Sequence, residues 1–253
     1  MIPAHSYESI CSNLSNTFIE THRINRKGDF KGYGLMVSTP SFSSMYKNER
    51  IIRADKAKLV GLLFVQPSHK IAKDEILSNL SYFHQRSGQN VNFYLAGYGA
   101  EFNKQDYPDI ELACRVNGKD WLFSSSAFEN IRRELELNTK WKYSGECDLV
   151  ITNAKINPQT EKVYFDYTKF IKVNIDELKR IGAIPSVMAL FESIFRYADE
   201  QDPTDPTWGL SDSLGIDSSK SALLKMILSL LPRNIGKEAE KITHFAVIDA
   251  SKK

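Results

Sequence analysis

Cysteine is scarce in this 253-residue chain: Cys11, Cys114 and Cys147, an odd number with no CxxC and no Cys/His pair at metal-ligand spacing. That pattern argues against a disulfide scaffold or a zinc site and predicts three free thiols in a reducing compartment. No basic start leads into an apolar segment, and no run reaches the roughly 18–20 apolar residues that a membrane helix needs. A cytoplasmic chain with no membrane partner is expected. Walker A is missing, and no complete GxGxxG opens a helix. Charge of one sign is missing too, since 33 Lys+Arg stand against 31 Asp+Glu. A dedicated nucleic-acid binder would show a basic excess or stripe.

What remains is ordinary for a globular protein, with 42% hydrophobic and 25% charged residues, enough at this length for a full core without staples. We divide the chain into residues 1–55, an N-terminal helix and basic loop, and 56–253, an α/β core with a C-terminal helical and strand extension. Tyr7, Ile10, Leu14 and Phe18 recur at helical spacing. Residues 21–34, with four bases, Phe30 and Tyr33, read as a loop able to contact phosphates and stack on bases.

From Lys58 the pattern sharpens. KLVGLLFVQP (58–67) is a continuous apolar run closed by proline, the mark of a strand buried on both faces. Ser68 then caps an expected helix with Ile76, Leu77, Leu80 and Phe83 on one stripe, stopped at Gly88. NVNFYLAGYG (90–99) is a second strand, which completes a βαβ unit with parallel strands. Residues 100–123 read as a surface insertion with extended character. Ser124 to Ser126 cap a helix bearing Phe128, Ile131 and Leu135. CDLVIT and KVYFDY flank the turn residues Asn157–Thr160 and predict a hairpin. A helix follows Pro185-Ser186, then an acidic loop over 199–217, a helix through Leu223–Leu231 and a last strand over 244–249.

The fold class is α/β, a single mixed, mostly parallel sheet with flanking helices. The order β-α-β-α-β-β-α over 58–198 resembles thioredoxin-like folds, and a Rossmann-like sheet is the alternative. Where a thioredoxin carries its CxxC, this chain has Pro67-Ser68-His69-Lys70, and the proline before the third core strand is absent from Ser144–Cys147. Thiol redox chemistry is therefore not expected even if the fold is right.

Two loops at the carboxyl ends of the parallel strands make the candidate ligand site: Ser68, His69 and Lys70 on one, Gly97, Tyr98 and Gly99 on the other. Helix amides and Lys70 favour an anion there. Asp148, Asp166 and Lys169 are the catalytic candidates, because a metal-dependent nuclease uses an acid on one strand and an acid and lysine on its neighbour. The i, i+3 spacing of Asp166 and Lys169 points them to opposite faces unless a bulge intervenes. Asp199, Glu200, Asp202 and Asp205 lack calcium-loop periodicity, so no metal and no cofactor is expected. Trp208, just beyond them, is the candidate contact for a protein partner. Residues 82–88 and 208–212 resemble segments of bacterial proteins, some of them from antiphage defence. The expected function is a non-catalytic binding or adaptor module of such a multi-protein system. The alternative is a Mg-dependent nuclease or a nucleotide-processing α/β enzyme.

Overall fold

The computed structural model describes residues 2–25, 46–54, 57–86, 91–103, 105–201 and 247–250. Strand β1 (Ile2–Ala4) leads into helix α1 (Tyr7–Phe18), whose Ser6 cap and Ser9 bond reciprocally at 3.1 Å. Its Ile10, Leu14 and Phe18 are buried, as their spacing predicts. Strands β2 (Ile19–Asn25) and β3 (Tyr46–Ile52) pair as an antiparallel ribbon. The first part of the basic stretch, 21–25, is therefore strand rather than loop. Residues 26–45 lie outside the described residues.

Strand β4 (Lys58–Phe64) is buried along its whole length. A π-turn (Ala72–Ile76) and a 3-10 turn (Leu77–Asn79) then lead into α2 (Leu80–Arg86), and Ile76, Leu77, Leu80 and Phe83 are buried as expected. Ser68, the expected cap, lies exposed in the turn before it. The expected stop at Gly88 lies outside the described residues.

Strand β5 (Val91–Ala96) pairs parallel with β4, as the βαβ reading requires. The segment read as an insertion forms a second small sheet. It comprises β6 (Tyr98–Gly99), β7 (Ile110–Val116) and β8 (Lys119–Ser124), ordered β6-β8-β7. Helix α3 (Ser125–Asn138) follows, with Ser124 Oγ accepting from Ala127 N at 3.1 Å. Then come β9 (Asp148–Ile156) and β10 (Val163–Asn174), joined by the expected turn, in which Asn157 Oδ1 accepts from Gln159 N and Thr160 N. Helix α4 (Ile175–Arg180), helix α5 (Val187–Gln201) and β11 (Val247–Asp249) are the last elements among the described residues. Asp199 to Gln201 thus continue a helix rather than open the acidic loop. The rest of that loop, Trp208 and the expected helix at 223–231 lie outside the described residues.

The main sheet runs β1-β5-β4-β9-β10-β11. It is mixed, and the expectation of a single, mostly parallel sheet is overturned. Pairs β1–β5 and β5–β4 are parallel, but β4–β9, β9–β10 and β10–β11 are antiparallel. Two causes are visible. The β9–β10 turn is too short for the crossover of a dozen residues that a parallel return needs. And α3 keeps the chain at the carboxyl end of β4, because Phe128 at its start and Trp141 beyond its end both pack on Phe64. Strand β9 therefore enters opposite Phe64 and runs backwards.

Helices cover both faces. Phe64 meets Phe128 of α3, and Tyr94 Oη donates to Asn13 of α1 at 2.6 Å, so α1 and α3 share one face. On the other, Phe93 packs edge-on against Phe191 and Phe195 of α5. Gly61 has no side chain because the Phe93 ring lies over it.

Candidate functional site

The carboxyl ends of β4 and β5 do come together, but the space between them is filled. Gly97 has a left-handed φ of 81° and donates to Ala4 O at 2.9 Å. A side chain there would stand 2.8 Å from Phe128 Cβ and 3.0 Å from Ser124 O. Tyr98 is fully buried and donates from Oη to Val65 O at 3.1 Å. The His5 imidazole presses directly over Gly99, stacked at 4.2 Å on Phe102, and burial lowers its pKa. Both glycines thus admit parts of the protein itself.

The other loop is more open. Ser68 and Lys70 are exposed, and His69 is half-buried. His69 Nε2 lies 3.7 Å from Asp176 Oδ1 at the start of α4, and His69 Nδ1 is buried without a hydrogen-bond partner among the described residues. Burial raises the Asp176 pKa against the opposing pull of the Cys147 amide, which donates to Oδ2 at 2.7 Å, and of His69. Asp176 was not singled out in the sequence, although Asn174, which caps α4 by accepting from Glu177 N at 2.9 Å, makes a legible helix start there.

Asp148 and Asp166 do not come together. Asp148 is fully buried. Its Oδ1 accepts from Ser144 Oγ (2.8 Å), and its Oδ2 from Ser144 N (2.9 Å), Trp141 Nε1 (3.3 Å) and Lys172 Nζ (3.1 Å). Both oxygens are engaged inside the fold, and neither faces solvent. The bulge that would realign Asp166 and Lys169 is present, since the β9–β10 register shifts between Phe165 and Phe170. Yet Asp148 pairs with Asn174 at one end of β9, while Asp166 follows the Phe165–Ala154 pair six residues away. Asp166 lies on the Asp148 side of that pair, its carbonyl accepting from Thr152 Oγ1 at 3.2 Å, so at about 3.4 Å per residue the two acids are roughly 14–17 Å apart. Burial would raise the Asp166 pKa, but hydrogen bonds from Thr168 and the Lys155 ammonium at 3.3 Å outweigh it and hold it low. The Lys169 side chain lies outside the described residues.

Among the described residues no three His, Cys, Asp or Glu side chains are grouped to hold a metal ion, and no helix is long and apolar enough to cross a membrane. The three cysteines are free thiols. Comparison with known proteins returns no matching family model, no matching curated protein and no matching solved structure.

Proposed function

We propose that this chain is a non-catalytic binding or adaptor module of a cytoplasmic, bacterial multi-protein system, with antiphage defence as its setting. One observation carries the reading. Asp148, one of the candidate metal-binding acids, is fully buried, and both its oxygens bond to groups inside the fold. The βαβ half followed by an antiparallel hairpin favours a thioredoxin-like over a Rossmann-like kinship, since the latter sheet is parallel. Trp208 is the proposed partner contact.

A nuclease reading keeps one point in its favour, the bulge between Phe165 and Phe170. The test addresses both. Purified chain with Mg²⁺ or Mn²⁺ is assayed on single- and double-stranded nucleic acids and on nucleotides, beside Asp166→Asn and Lys169→Ala. We expect no turnover above background, and turnover lost in either variant would establish the enzyme. In parallel, affinity capture with wild type and Trp208→Ala should retain a partner only with wild type.

A further inference from the structure

The opposite end of the sheet is open. There α1 and the β9–β10 turn face each other across a cleft of about 370 Å³. That is the lower end of the range for small-molecule sites, roughly 300–1,000 Å³, and too small for a large ligand. Its floor is apolar, formed by Tyr7, Cys11 and the buried Val163. Burial pushes the Cys11 thiol up to about 11, so it stays protonated and behaves as a small apolar group.

The two walls carry opposite charges. Glu8 projects from α1 and Lys162 from the turn; both are exposed, and neither is in an ion pair among the described residues. Glu161, next to Lys162, is held by Arg50 at 2.8 Å and adopts a left-handed φ of 55°. That anchored residue fixes the wall from which Lys162 projects. An unpaired acid and an unpaired base above an apolar floor complement a molecule with an ammonium, a carboxylate and an apolar body.

We infer that this cleft binds a small zwitterion with an apolar side chain, an α-amino acid such as leucine or phenylalanine being the simplest. The ammonium meets Glu8, the carboxylate meets Lys162, and the side chain lies on Tyr7, Cys11 and Val163. This goes beyond the adaptor reading and fails separately from it, because neither catalysis nor partner capture enters the test.

Cys11 serves as the reporter. The full chain is alkylated with iodoacetamide at mildly alkaline pH and the labelling rate is read peptide by peptide, with half-buried Cys114 as internal reference. Phenylalanine and leucine should slow labelling of Cys11 by the factor 1 + [L]/Kd, about threefold once the ligand reaches twice its Kd, and leave Cys114 unchanged. Phenethylamine and 3-phenylpropionate, each lacking one charge, should protect far less. Lys162→Glu should abolish protection while melting like wild type. Ser12→Trp, which narrows the cleft, should slow Cys11 labelling without any ligand. The inference is overturned if neither amino acid protects Cys11, if protection survives Lys162→Glu, or if the single-charge analogues protect equally.

Discussion

The two ends of the main sheet make opposite use of their polar groups. At the carboxyl end of β4 and β5, the glycines lie under Phe128 and His5, Tyr98 is buried, and Asp148 is paired with Lys172. At the β9–β10 turn, Glu8 and Lys162 stand exposed over an apolar floor. Open α/β sheets commonly bind ligands at the carboxyl end. Here that end is closed by the β6–β8 sheet and α3, since Ser124 N donates to Gly97 O at 2.9 Å and Phe128 fills the turn. A strand end becomes a site only where the following elements leave it uncovered.

The comparison predicts intolerance at the closed end and tolerance at the open one. The largest effect should come from Asp148→Ala. It leaves the Lys172 ammonium without its buried counter-charge, and urea denaturation should show a loss of roughly 3–5 kcal/mol. Phe191→Ala, which empties the fully buried site against Phe83 and Phe93, should cost a similar amount, about 3–5 kcal/mol. A midpoint within error of wild type for Phe191→Ala would mean that α5 does not seal its face of the sheet. Gly97→Ala should cost roughly 1–3 kcal/mol, because the left-handed backbone and the contacts with Phe128 and Ser124 both oppose a side chain.

A smaller effect separates the ends by pH. Burial lowers the His5 pKa in the folded protein below its ordinary value of about 6.5. As pH falls, the unfolded chain takes up the proton first, so the His5 contribution is full above about pH 6.5 and shrinks below it. Wild type should lose more stability than His5→Leu between neutral pH and pH 5.5, and equal losses would remove His5 from the account of the closed end. The smallest effects belong to the open cleft. Glu8→Ala and Lys162→Ala should each shift stability by no more than about 0.5 kcal/mol, and a larger loss would show that the cleft is part of the scaffold.

Much of the fold was legible because its signals are local. The all-apolar run at 58–64, the stripes through Phe83, Ile131 and Phe191, the serine cap at Ser124 and the turn at Asn157 each act within a few residues. The site was less legible. Ser68, His69 and Lys70 do lie at the sheet's carboxyl edge, but the partner of His69 is Asp176, more than a hundred residues later. Nothing near Gly99 announces that His5 will cover it, and the cleft that Glu8 and Lys162 both line is formed by the first helix and the β9–β10 turn.

By itself the sequence determined the elements with a strong local period or cap, such as β4, β5, α3 and α5, since backbone preference and the period of apolar residues are set by near neighbours. It also determined the βαβ unit, whose handed, parallel form follows from the linking helix. Only the tertiary structure decided the direction of β9, because that depended on where α3 delivers the chain relative to Phe64. It alone decided which polar groups are consumed and which stay free. Asp148 and Glu8 are both carboxylates in the sequence, and what separates them is contact with residues brought near by folding: Trp141, Ser144 and Lys172 close around the first, while open space faces the second.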